Sequence, residues 1–144
     1  MASTFDVAKY ITERTGEVSA MKLQKLMFYA QAWNLVWDEA PLFSEDFQAW
    51  ANGPVLPTLY QKHRGLFKVD AALFASADSA ALSESERGNI ERVLAFYGDK
   101  TAQWLSNLTH QEAPWKQARG DTPIGEPSTA VISQGAMHEY YSSL

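Results

Sequence analysis

The sequence contains no cysteine, which excludes disulfide bonds, thiol catalysis and cysteine-based zinc sites. It also has no long uninterrupted apolar run, because Lys22, Lys25 and Asn34 interrupt the most apolar segment, residues 21–37. A basic stretch followed by an apolar one, as in a secretion signal, is missing at its start. We therefore expect a cytoplasmic protein that is neither secreted nor membrane-spanning.

Basic residues are few: 12 lysines and arginines stand against 17 aspartates and glutamates, which gives a net charge of -5. Nucleic-acid binding depends mainly on clustered basic side chains that release counterions from phosphates. Here the basic residues are scattered, apart from a small group at 62–68, so we expect no nucleic-acid partner. Glycine-rich loops of the kind that bind phosphates are missing as well.

Patterns typical of an enzyme are also scarce. The histidines His63, His110 and His138 lie far apart and follow no metal-ligand spacing. Ser19 and Lys22 match the Ser-x-x-Lys spacing of penicillin-interacting enzymes, but the other motifs of those enzymes are missing and Ser19 is better explained as a helix cap. We expect no enzyme activity, no metal and no cofactor. A small hydrolase or metal enzyme built from His63, His110 and nearby carboxylates is the alternative of a different class.

What the chain does have is 46% hydrophobic and 20% charged residues, which is typical of a globular protein. Its 144 residues are enough for one domain with its own core. There is no internal repeat and no low-complexity linker. We therefore predict a single domain over residues 1–144.

Apolar residues recur mainly at helical spacing. The longest such segment, about residues 20–38, is apolar on nearly all sides, and Trp33 and Trp37 lie on its main stripe. Further caps and stripes predict helices near 4–13, 56–64, 83–97, 101–109, 113–118 and 133–141. We predict a mainly α, compact multi-helix domain around a buried central helix, with Trp33 and Trp37 in the core.

One segment departs from the helical pattern. Residues 47–51, Phe-Gln-Ala-Trp-Ala, alternate large and small side chains, which predicts a short extended segment. Gly53 then permits a positive φ, and Pro54 fixes φ for the residues that follow. We predict that Gly53 and Pro54 form a structural turn. Residues 67–81 show only weak periodicity and are predicted to be a loop, with a helical turn within it as the alternative.

Three groups of residues together resemble the signatures of one protein family. They are Lys22-Leu-Gln-Lys-Leu26 with Phe47-x-Ala-Trp50 and Gly53-Pro-Val55, then Leu105 to Trp115, and finally the closing helix, Ile132 to Tyr141. In this order and spacing they resemble the Panacea antitoxin domain, a family that includes GepA-like phage-associated and SocA-like proteins. The resemblance covers almost the whole chain.

The resemblance implies a bacterial or prophage antitoxin of a toxin–antitoxin system, which neutralises a cognate protein toxin by direct binding. For SocA-like members it implies instead an adaptor that delivers the toxin to a ClpXP-type protease, and this alternative stays open. The expected partners are a toxin and, for an adaptor, a protease component. A homo-oligomer is compatible with either function.

We predict that the partner-binding surface uses residues from these motifs, which include aromatic side chains beside a rigid turn. The candidates are Lys25, Tyr29, Trp50, Asn52, Tyr60, His110 and Trp115. His110 with Glu112 is also compatible with acid–base chemistry. We favour a structural account, in which Thr109 or His110 satisfies backbone groups at a helix end and Trp115 packs onto the core.

Overall fold

Seven helices dominate the computed structural model, which describes residues 1–144. They are α1 (Thr4–Thr15), α2 (Ala20–Asp38), α3 (Pro57–His63), α4 (Glu84–Tyr97), α5 (Ala102–Gln111), α6 (Ala113–Arg119) and α7 (Gln134–Ser142). A serine side chain caps the start of α1, α2, α4 and α7, and a threonine caps α5. The predicted mainly α fold class is confirmed.

Five short strands complete the fold. They are β1 (Val18–Ser19), β2 (Phe47–Trp50), β3 (Gly53–Val55), β4 (Lys68–Val69) and β5 (Val131–Ile132). β1 pairs with β4, and β2 is the middle strand of an antiparallel sheet in the order β3-β2-β5. β2 is the extended segment predicted near 47–51. In the β2–β3 hairpin, Trp50 lies opposite Gly53, so Ala51 and Asn52 form the turn. Gly53 and Pro54, which were predicted to form it, are instead the first residues of β3, because both pair with β2.

Helix α2 is the centre of the molecule, as predicted. Thirteen of its 19 residues are buried, and it packs against α1, α4, α5 and α7. These four helices contribute Ile11, Ile90, Leu105 and Met137 to the same core cluster. Burial of one such apolar side chain stabilises the fold by roughly 1.5–3 kcal/mol.

Two glutamines inside α2 hold the chain that follows the helix. The side-chain amide of Gln24 donates to the carbonyl of Leu56 at 3.3 Å and accepts from its N–H at 2.9 Å. Gln31 donates to and accepts from the backbone of residues 42–43 at 2.9 and 2.7 Å. Residues 42–43 bind Gln31 and Leu56 binds Gln24, which is nearer the start of α2. The segment 42–56 therefore runs back along α2 towards its N-terminal end. These buried amides are satisfied at both ends.

Trp37 does not lie in the core, so the core position that the apolar stripe predicted for it was wrong. Its side chain is 38% exposed because it belongs to the last turn of α2, where the helix leaves the core. Trp33, one turn earlier, is half-buried and donates its indole N–H to the hydroxyl of Tyr97 at 3.0 Å. Trp37 stacks on Trp33, and the guanidinium of Arg92 lies 4.3 Å from the centre of the Trp37 ring.

The region 67–81, predicted to be a loop, contains β4 and two short 3-10 helices, Ala71–Phe74 and Ser79–Ala81. Phe74 is buried and its ring centre lies 6.2 Å from that of Phe5. Single apolar anchors at irregular spacing leave no periodic signal in the sequence. None of the helices in the structure combines the length and the hydrophobicity that a membrane crossing requires.

Candidate functional site

The β2–β3 hairpin lies against the N-terminal half of α2. The ammonium of Lys25 donates to the carbonyl of Pro54 at 3.2 Å, and the hydroxyl of Ser106 donates to the carbonyl of Asn52 at 2.6 Å. At Gly53, where φ is 120°, a Cβ atom would lie 2.5 Å from Cε of Lys25. Both the positive φ and the close approach therefore require glycine.

Two adjoining cavities flank the turn of this hairpin, and we call them together the hairpin groove. The apolar cavity, of about 380 Å³, is lined by Met21, Trp50, Ala51, Asn52, Val55, Tyr60 and residues 127–129. The basic cavity, of about 430 Å³, is lined by Ser19, Met21, Lys25, Asn52, Phe67, Ala102, Gln103, Ser106 and His110. Met21 and Asn52 line both cavities, which makes the groove continuous past the turn.

The apolar cavity has walls of ordered aromatic side chains. The rings of Trp50 and Tyr60 meet edge to face with centres 5.0 Å apart, and both side chains are half-buried. The indole N–H of Trp50 donates to the side chain of Gln48 at 2.8 Å, which fixes the ring. A preformed apolar cavity with a few polar groups at its edge suits an apolar side chain of a ligand or partner.

The basic cavity contains two basic groups and no acidic one. Lys25 is 1% exposed, and burial lowers its pKa to about 7. Burial, and then the charges of Lys25 and Arg119, lower the pKa of His110. The Nε2 atom of His110 has no hydrogen-bond partner in the protein. Its ring stacks on Trp115 with centres 4.1 Å apart.

Helix α6 supports the groove from behind. The indole N–H of Trp115 donates to the carbonyl of Trp50 at 2.9 Å, and the guanidinium of Arg119 donates to the carbonyl of Ala49 at 2.9 Å. The same guanidinium lies 4.8 Å from the centre of the Trp115 ring. Because β2 is held on this side by α6, the groove has a fixed wall before any partner arrives.

A buried carboxylate, Glu112, lies between α2 and α7. It accepts hydrogen bonds from the hydroxyls of Tyr29 and Tyr141 at 2.6 and 2.7 Å. Burial raises the pKa of Glu112, and the two hydrogen bonds partly oppose this. The sequence analysis did not assign this role to Glu112, because its partners lie 83 and 29 positions away and no local pattern indicates them.

The structure separates the seven predicted partner-binding residues by whether they line the groove. Those that line the groove are Lys25, Trp50, Asn52, Tyr60 and His110. Trp115 is 3% exposed and lies behind the groove, and Tyr29 is fully buried beside Glu112. The sequence analysis did not select Met21 and Phe67, which line the groove with 37% and 77% exposure. Their surroundings come from distant segments, so helical spacing could not indicate them.

The residues of the alternative enzyme hypothesis have separate surroundings. His63 is buried, and its Nε2 atom lies 3.0 Å from the amide nitrogen of Gln24. His110 lines the basic cavity and stacks on Trp115. Neither histidine forms an ion pair with a carboxylate, and no three His, Asp or Glu side chains are arranged to hold a metal ion.

The chain is thus a mainly α domain with an open, partly apolar groove beside a hairpin. A family model described as "Antitoxin SocA-like, Panacea domain" matches residues 23–116. The chain therefore belongs to this family of antitoxin-like domains. The matched range runs from α2 into α6 and includes the hairpin and α5. No curated protein and no solved structure matches the chain.

Proposed function

We propose that this chain is the antitoxin of a toxin–antitoxin pair and that it neutralises its toxin by binding it directly in the hairpin groove. The match to a family described as antitoxin-like carries the proposal. The matched residues include most of those that line the groove. The groove is therefore the surface of the family domain that we assign to the toxin.

The chemistry of the groove supports this assignment. Trp50 and Tyr60 offer aromatic surface with a polar handle, which is typical of residues that dominate binding energy at interfaces. Phe67 adds an apolar side chain that is 77% exposed at the rim. Because α6 already holds β2 in place, binding would require little ordering of the hairpin, and affinity benefits from such preorganisation.

The first experiment tests neutralisation itself. The neighbouring open reading frame is expressed alone and together with this chain, and both purified proteins are mixed on a size-exclusion column. We expect the neighbouring reading frame alone to arrest growth and its co-expression with this chain to restore growth. The two purified proteins should co-elute. Absence of rescue, or separate elution of the two proteins, would contradict the proposal.

The adaptor alternative is tested in cells without the ClpXP protease. Direct neutralisation does not need the protease, so rescue should persist in these cells with undiminished toxin levels. Rescue that is lost in the protease-deficient cells, with toxin accumulating there, would establish delivery to the protease as the function instead.

The location of the interface is tested with a pair of matched variants. Trp50→Ala in the groove should weaken co-elution and rescue, because truncation of a central interface aromatic often costs 2 kcal/mol or more, about 30-fold in affinity. Trp37→Ala is the control, since Trp37 is also partly exposed and lies roughly 24 Å from Met21 along α2. Equal rescue by two stably folded variants would place the interface elsewhere.

A further inference from the structure

We propose that the basic cavity is a binding site for a single carboxylate group, with Lys25 as its charged contact. This goes beyond toxin neutralisation, because the carboxylate can belong to a small organic acid. If it belongs instead to an acidic side chain of the toxin, the inference rests on the proposed function. The two sources share one chemistry and are separated by the experiment below.

The first argument is the incomplete pairing of Lys25. Its side chain is 1% exposed, yet its ammonium makes one hydrogen bond, to the carbonyl of Pro54. An ammonium has three N–H groups, so two have no acceptor in the protein. No ion pair joins Lys25 to a carboxylate of the chain. By contrast, the amides of Gln24 and Gln31 on the same helix are bonded at both ends.

The second argument is the direction in which Lys25 faces. It lines an open cavity of about 430 Å³ that contains no acidic side chain. His110 lines the same cavity, and its Nε2 atom has no partner in the protein. A buried ammonium and a buried imidazole nitrogen thus line one space. Buried polar groups that are left unpaired are unfavourable, and an anionic ligand would remove that penalty.

The third argument concerns the helices around the cavity. Met21 is in the first turn of α2, and Ala102 and Gln103 are in the first turn of α5; all three line the cavity. The N-terminal end of a helix carries a partial positive charge that favours anions. The N-terminal ends of α2 and α5 therefore favour an anion in the cavity, as Lys25 does.

The lining favours a carboxylate over a phosphate. Lys25 is the one cation-forming side chain besides His110 that lines the cavity, so it can balance at most a monoanion, and a phosphate dianion would retain an unpaired charge. No arginine lines the cavity, so the bidentate fork that commonly binds phosphate is missing. Asn52 and Ser106 provide further polar groups at the rim.

The test uses sodium acetate as the probe, at about neutral pH and constant ionic strength, with sodium chloride and sodium phosphate as comparisons. Ligand binding to the folded state raises the melting temperature by mass action. We expect a saturable rise of about 3 °C with acetate. Chloride should give no such rise, and phosphate a smaller one. No rise with acetate, or an equal rise with phosphate, overturns the proposal.

Two variants locate the site. Lys25→Met keeps the length of the side chain and should abolish the acetate response, whereas Lys116→Met, which removes an exposed lysine on α6, should leave it intact. An acetate response that persists in Lys25→Met overturns the proposal. If Lys25→Met does not fold, NMR of the lysine ε-methylene groups in the unchanged protein decides. Acetate must then shift the Lys25 resonance and raise its pKa, and a shift confined to other lysines overturns the site.

Whether Lys25→Met still rescues cells from the toxin identifies the source of the carboxylate. With the acetate response established, loss of rescue assigns the carboxylate to the toxin, and intact rescue assigns it to a small acid. Failure of the site and failure of the proposed function remain distinct, because the acetate titration contains no toxin.

Discussion

At the residue scale, Lys25 couples the stability of the fold to pH. It is a buried lysine without a carboxylate partner, on the helix that forms the centre of the core. Burial lowers its pKa from 10.5 to about 7, so at neutral pH the folded protein holds this proton much less tightly than the unfolded chain does. The folded state is therefore destabilised by Lys25 wherever the unfolded chain is still protonated there.

We predict that stability rises with pH from about 7 towards 10, by roughly 1.4 kcal/mol for each pH unit, through Lys25. Between these values the unfolded chain binds the proton and the folded chain does not, so unfolding takes up a proton and becomes less favourable as pH increases. Burial and the charge of Lys25 lower the pKa values of His63 and His110, so these histidines titrate below this range. The buried tyrosines Tyr29 and Tyr141 have raised pKa values and act in the opposite sense above about pH 10.

The measurement is urea denaturation at several pH values between about 7 and 9.5. Lys25→Met provides the control, because a neutral side chain of similar length should flatten the pH profile and be more stable at neutral pH. An unchanged slope in Lys25→Met would show that other groups produce the pH dependence.

Gly53 is the second residue whose role is set by its contacts. We predict that Gly53→Ala destabilises the protein by about 2 kcal/mol, since an alanine must adopt a positive φ and its Cβ would meet Cε of Lys25. In a Lys25→Ala background the contact with Cε is gone, and the backbone strain and the approach to Oγ1 of Thr109, at 3.1 Å, remain. The cost of Gly53→Ala should then fall by about 1 kcal/mol, and a double-mutant cycle in urea measures this coupling. Additive effects would show that the contact contributes nothing.

At the scale of elements, α2 organises the chain on both sides of the hairpin. Gln24 and Gln31 each satisfy an N–H and a carbonyl group of the returning segment. In the sequence these glutamines interrupt an apolar helix and carry no further signal. In the structure they define the path of residues 42–56, which no side-chain periodicity could specify.

We predict that Gln31→Ala costs about 3 kcal/mol, because it leaves a buried N–H and a buried carbonyl of residues 42–43 without partners. The midpoint of chemical denaturation measures this loss. Gln61→Ala on α3 is the matched control, since Gln61 is exposed, and it should change stability by no more than about 0.5 kcal/mol. Similar midpoints for the two variants would contradict the role of Gln31.

The elements also explain how far the sequence alone could lead. Helix starts depend on local signals, and Ser3, Ser19, Ser83 and Ser133 all cap helices in the structure. The two-part groove depends on contacts between segments such as 50–60 and 102–110, which are far apart in the chain. Family motifs led to five of its lining residues, whereas Phe67 belongs to no motif and was missed.

At the scale of the whole molecule, α1, α2, α4, α5 and α7 contribute to a common core cluster. We predict that residues 1–144 unfold as a single cooperative domain. Far-UV circular dichroism and tryptophan fluorescence should then give coincident denaturation curves. The five tryptophans are distributed over α2, β2, α5 and α6, so fluorescence reports on several elements. Separated transitions would contradict the single domain.

The segment 42–56 contains more chain than it needs to connect its two anchors on α2. Gln24 and Gln31 lie seven residues apart on α2, roughly 10 Å, whereas the chain between their partners, residues 43 and 56, could span roughly 40 Å if extended. The surplus chain includes the hairpin, whose turn, Ala51 and Asn52, stands at the surface between the two cavities. Insertions at this turn would leave both glutamine anchors in register, so the hairpin can change length without rebuilding the core.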